Sequence, residues 1–83
     1  SEQFPLSVVE AMAAGLAVAS PAVGDVAEIV SPDNRPFVTA PGDDGALADA
    51  LLALASDDGL RARVGRANQA RARSEFDSKA MVA

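Results

Sequence analysis

"SEQFPLSVVEAMAAGLAVAS", residues 1–20, is the stretch on which the fold turns. Two glutamates, Glu2 and Glu10, stand in it with seven residues between them, either side of a Phe-Pro turn and a helix start. Residues 7–14 read as a helix: Ser7 is a good N-cap, Pro5 sits just upstream, and Gly15 is a good stop. Residues 17–20, AVAS, follow that glycine and suit a short buried strand.

Outward from this stretch the pattern repeats. PAVGD is a loop with Gly24 at its turn, and VAEIV makes a helical turn or two. SPDNRP is dense in turn formers, and FVT at 37–39 reads as a second short strand before a PGD loop. The remainder is helical. Leu47, Ala50, Leu51 and Leu54 recur at helical spacing behind a cap at Asp43 or Asp44. A second long helix starts near Asp57 or Asp58, with Leu60, Val64 and Ala67 as its apolar stripe. Glu75, Phe76 and Asp77 break that pattern, and SKAMVA starts one more helix.

The order is therefore helix, strand, short helix, strand, helix, helix. Such alternation predicts an α/β layer with a parallel sheet. Two strands leave open edges and uncovered faces, so further strands are expected upstream of Ser1 or from another chain. The abrupt start at Ser1, without an initiator Met, points the same way: a piece of something larger.

Composition narrows the chemistry. The chain has 83 residues, 49% of them apolar, which suits one small folded unit. Much of the apolar content is alanine, and the aromatics are Phe4, Phe37 and Phe76 alone, so the core is poor in large side chains. Cysteine and histidine are both absent, which excludes disulfides, thiolate nucleophiles, sulfur metal sites and an imidazole base. The lack of cysteine fits a reducing, cytoplasmic location. No apolar run is long enough to span a membrane. Charge is uneven: residues 1–60 carry ten acids and one base, Arg35, whereas residues 61–83 carry six bases and two acids. The basic run RARVGRANQARAR, residues 61–73, reads as a solvated helix face rather than a nucleic-acid patch, because no aromatics interleave with it and the rest of the chain repels phosphate.

The opening stretch also carries chemistry. A loop running into a helix N-terminus offers backbone N–H groups and a partial positive charge, here at Leu6, Ser7 and Val8, and binds phosphate without a basic side chain. Carboxylates beside such a site suit neutral hydroxyls, because a carboxylate accepts two strong hydrogen bonds from a vicinal diol. A nucleotide sugar offers both phosphates and hydroxyls. The plain structural alternative is a capping box, Ser7-x-x-Glu10, with Glu2 a solvated loop acid. On residue chemistry alone both remain open.

EQFPLSVVEAMAAGLAVAS resembles the Glu-x7-Glu signature of the group 1 retaining glycosyltransferases of GT-B fold. VGDVAEIV, residues 23–30, is similar to that family's Val-Gly-Gly-x-x-Glu-Ile-Val. Residues 37–77 resemble its closing strand, Pro-Gly-Asp loop and C-terminal helices. The resemblance implies a partial Rossmann-like parallel sheet followed by C-terminal helices, the second half of a GT-B C-terminal domain. Residues 1–40 would form the Glu-x7-Glu helix and βαβ portion, and residues 43–83 the helices. It implies transfer of a glycosyl group from a nucleoside diphosphate sugar to an acceptor, with retention and without a protein-held metal or other cofactor. Glu10 matches the glutamate that bonds the ribose hydroxyls. Glu2 matches the one near the donor sugar and is the candidate catalytic residue, although a conventional nucleophile is not implied. Phe4, Pro5, Leu6 and Ser7 match the segment whose amides approach the sugar and diphosphate, and Gly15 and Gly24 match tight turns near the donor side.

Three departures stand out: Gln3 and Asp25 replace customary glycines, and Pro36 stiffens the loop before the second strand. The sugar, the base and the acceptor (a sugar, a lipid-linked sugar or a small molecule) stay open, as does peripheral membrane attachment of the parent protein. The chain alone is expected to be inactive and to self-associate. Two other functions compete: a sugar-nucleotide epimerase, which would want a histidine, and a non-catalytic helical interaction module.

Overall fold

A computed structural model describes residues 6–77 of the chain. Helix α1 spans Leu6–Ala13 and stops at Gly15, whose φ of +79° is a left-handed conformation that glycine adopts without a Cβ clash. That turn lets the Leu16 amide donate to the Ala11 carbonyl at 3.0 Å and the Gly15 amide to the Met12 carbonyl at 2.9 Å. The pair is a Schellman end, and it satisfies two of the carbonyls that a helix leaves open. At the other end Leu6 is already helical, so Ser7 lies within the first turn rather than ahead of it.

The chain continues through β1 (Ser20–Pro21), α2 (Val26–Ile29), a 3-10 helix (Pro32–Phe37) and β2 (Val38–Thr39). β1 and β2 pair in parallel, Ser20 opposite Val38 and Pro21 opposite Thr39. The first strand shares only Ser20 with the expected 17–20. Its predicted centre is occupied otherwise: the Val18 amide donates to Asn34 Oδ1 and Asn34 Nδ2 donates to the Val18 carbonyl, both at 2.8 Å. A carboxamide presents the same donor and acceptor as a peptide group, so Asn34 stands where a neighbouring strand would pair. The turn formers of SPDNRP build the 3-10 helix, with Pro32 opening it where a missing N–H costs nothing. The described residues are thus mostly helical with a two-stranded parallel sheet, which is compatible with an α/β class.

Two aspartates start the long helices. Asp43 Oδ1 accepts from the Ala46 amide ahead of α3 (Asp44–Ser56), and Asp57 Oδ1 accepts from the Leu60 amide ahead of α4 (Asp58–Ala72), both at 2.9 Å. These N-caps single out Asp43 over Asp44 and Asp57 over Asp58. Past Ala72 the helix does not break at Glu75. It widens into a π-helical turn, Arg73–Asp77, and the helix expected from SKAMVA lies outside the described residues.

The core joins Met12, Val26, Ile29, Val30 and Ala72, with Val8, Val9, Val18 and Val38 packed against it. Burying each of its larger side chains contributes about 1.5–3 kcal/mol. α4 buries Val64, Asn68 and Ala72, four residues apart, with Gly65 beside them. Leu60 and Ala67 of the expected stripe are only half-buried. On α3, Ala50 and Leu54 are buried and Leu47 half-buried, but Leu51 is 54% exposed. Spacing correctly placed the apolar residues on helices. It did not reveal how narrow the buried stripe on α3 is.

The arginines of the basic run act on other elements. Arg61 donates to the Leu54 and Ala55 carbonyls at the end of α3, and also pairs with Asp58. Arg71 donates to the Ile29 and Glu28 carbonyls at the end of α2, each at 2.8 Å. A cation at a helix C-terminus meets open carbonyls and the negative end of the dipole, so both contacts are favourable. Arg63 pairs with Asp33 at 2.6 Å.

Candidate functional site around helix α1

α1 has a buried face and an open one. Met12 is fully buried. Glu10 stands two residues earlier, about 200° around the helix axis, and is exposed on the side away from the core. Among the described residues its carboxylate has no hydrogen-bond or ion-pair partner, and no bond joins it to Ser7 in either direction. A capping box needs its serine at the N-cap with non-helical backbone, and Ser7 is already helical. The carboxylate is therefore not used as a helix cap by the described residues.

Leu6 and Ser7 sit in the first turn of α1, both exposed, and their amides lie at the positive end of the helix dipole. Glu2, Phe4 and Pro5 lie outside the described residues. Gly15 and Gly24 are both left-handed, with φ of +79° and +56°, as tight turns require. A shallow cleft of 330 Å³ is lined by Gly15, Leu16, Ala17, Asp58, Arg61 and Ala62. It belongs to the far end of α1, and its lining takes in Gly15 but not Leu6, Ser7 or Glu10. Among the described residues no three carboxylates gather as a metal site would need.

What holds α1 in place was not legible as a motif. Asn68, fully buried on α4, donates from Nδ2 to the Leu16 carbonyl at 2.9 Å and to Asn34 Oδ1 at 2.8 Å. Its Oδ1 accepts from the Ser31 amide at 3.1 Å. Asn34, also fully buried, binds Val18 as described. Backbone groups of fixed polarity set both amide orientations. Gln69 Nε2 donates to the Ala13 carbonyl at 3.2 Å. Between these contacts α4 approaches at Gly65, where a Cβ would come within 2.1 Å of the Gly15 carbonyl oxygen. An asparagine inside a helical stripe of small and apolar residues is the signal that could have drawn attention to position 68.

The model of the family described as glycosyl transferases group 1 matches residues 1–71. The chain belongs to that family. The match runs from Ser1 into the last turn of α4, so it takes in Glu2, Glu10, the Gly15 corner, Asn34 and Asn68. Comparisons with curated proteins and with solved structures gave no match. Membership of the group 1 glycosyltransferases ties the chain to glycosyl transfer in general, with a donor and an acceptor as its partners. No helix of the described residues is long and apolar enough to cross a membrane.

Proposed function

We propose that this chain is the C-terminal half of the donor-binding domain of a retaining glycosyltransferase with a GT-B fold, and that it binds a nucleoside diphosphate sugar on the open side of α1. Glu10 accepts hydrogen bonds from the ribose hydroxyls. Glu2 stands by the hydroxyls of the transferred sugar, and the Phe4–Ser7 backbone approaches the sugar and diphosphate. The observation that carries this reading is the state of Glu10: exposed, opposite the buried face, and without a partner among the described residues.

The chemistry follows from the leaving group. When the bond from the anomeric carbon to the diphosphate oxygen breaks, negative charge grows on the diphosphate. Amides at a helix N-terminus are oriented before the reaction and stabilise that charge without reorganising. A carboxylate on the ribose fixes the donor along the helix, which holds the anomeric carbon in register with the acceptor hydroxyl. No protein-held metal is required by this arrangement. The acceptor is a sugar, a lipid-linked sugar or a small molecule bound by the remainder of the enzyme.

The test is donor affinity in the full-length enzyme, wild type against Glu10→Gln. Glutamine keeps the shape and the helix propensity but not the charge-assisted acceptor. Affinity should fall by about 1.5–3 kcal/mol with an unchanged melting temperature. Equal affinity of the two proteins would refute the assignment of Glu10.

A further inference from the structure

We propose that Asn68 is a positioning residue for the donor site: through the Leu16 corner it sets the rotation of α1, and with it the direction in which Glu10 presents its carboxylate. The inference rests on the donor-site reading of Glu10. α1 is only eight residues long, and Glu10 lies one turn before its last residue, Ala13. The apolar contacts of Met12, Val8 and Val9 hold the helix down, but such contacts are non-directional and tolerate rotation. Hydrogen bonds are directional. Among the described residues, those that reach the end of α1 from outside come from α4: Gln69 to the Ala13 carbonyl and Asn68 to the Leu16 carbonyl just beyond it. They flank the backbone contact between Gly65 and Gly15. Asn68 is the stiffer of the two side chains, because it is fully buried and its remaining bonds go to Ser31 and Asn34.

Asn68→Asp isolates this role. The substitution keeps the shape and replaces the Nδ2 donor by an acceptor that faces the Leu16 carbonyl and Asn34 Oδ1. Asn34 cannot turn its amide over to compensate, because both its ends are committed to Val18. The Leu16 corner must move, and a displacement on the order of 1 Å at a positioning contact is enough to lower binding or rate substantially.

The experiment measures donor affinity and melting temperature in the full-length enzyme for Asn68→Asp, Glu10→Gln and the double variant, with Val64→Ala as a control. Val64 is buried in the same stripe of α4, so its truncation destabilises the fold without touching the hydrogen bonds. Asn68→Asp should weaken donor binding roughly 10-fold. It should cost much less in the Glu10→Gln background, because a contact already lost cannot be lost again. Val64→Ala should lower the melting temperature and leave affinity unchanged. If Asn68→Asp does not fold, Gln69→Ala replaces it, since that bond is exposed; about a 3-fold loss with the same non-additivity is expected. Full additivity, or an affinity loss for Val64→Ala that matches the loss for Asn68→Asp, overturns the positioning role while the Glu10 result stands. A Glu10→Gln enzyme with wild-type affinity overturns the donor-site reading first, and the inference falls with it.

Discussion

Gly65 shows how one hydrogen atom in place of a methyl decides the packing of α1 on α4. Alanine in a helix is ordinarily favoured over glycine by about 0.5–1 kcal/mol. Here the added Cβ would stand 2.1 Å from the Gly15 carbonyl oxygen and 3.0 Å from its carbon, both backbone atoms that cannot swing aside. The clash outweighs the propensity gain, so Gly65→Ala should destabilise by about 1–3 kcal/mol or more. Gly59, in the first turn of the same helix, meets only Asp57 Oδ1 at an ordinary 3.6 Å, so Gly59→Ala should stabilise by about 0.4–1 kcal/mol. Denaturant unfolding of the two variants checks the opposite signs. The same contrast explains why position 65 was not legible in the sequence. A glycine within a helical pattern reads as a tolerated cost until the backbone that crosses it is known.

At the scale of elements, the helices announce themselves and the strands do not. Asp43 and Asp57 sit just ahead of long alanine-rich and leucine-rich or arginine-rich segments, and each accepts from an amide three residues on. Removing either cap, as Asp43→Ala or Asp57→Ala, should cost about 1 kcal/mol, with the two effects additive because the caps share no partner. Chemical denaturation of the single and double variants would show it, and a loss near zero for either would mean that its helix end is held by tertiary packing instead. β1 is different. Residues 17–20 read as a strand, yet the backbone of Leu16 and Val18 pairs with the side chains of Asn68 and Asn34, from 52 and 16 residues away along the chain. Local pattern cannot show that a side chain will take the place of a strand. The arginines teach a similar lesson. Their count is plain in the sequence, but the use of Arg61 and Arg71 to close the ends of α3 and α2 emerges only when the helices meet.

For the whole molecule the balance is thin. Among the described residues the buried apolar set is Met12, Val26, Ile29, Val30, Ala50, Leu54, Val64 and Ala72, and Phe37 is only half-buried, while Leu6, Leu16, Val23, Leu51 and Leu52 are each more than half exposed. A chain with so modest a core and so many open aliphatic side chains should associate when isolated. Sedimentation of the 83-residue chain over a range of concentrations is expected to show mass rising with concentration; a monomer with a sharp, concentration-independent unfolding transition would contradict this.

The sequence by itself determined the main helices, the parallel sense of the small sheet, the candidate Glu10 and, through the order of its segments, the glycosyltransferase family; it narrowed two caps to neighbouring aspartates, misplaced Ser7 as a third and displaced the first strand. These are properties of near neighbours: periodicity, cap chemistry and motif spacing act over a few residues. Tertiary structure alone decided that Glu10 is exposed on the side away from the core and, among the described residues, caps no helix end. It also decided that Gly65 admits the Gly15 corner, and that Asn34 and Asn68 close the backbone of residues 16–18. Those outcomes depend on which distant backbone groups are brought out of water together, and a buried peptide group must find its partner wherever the fold supplies one.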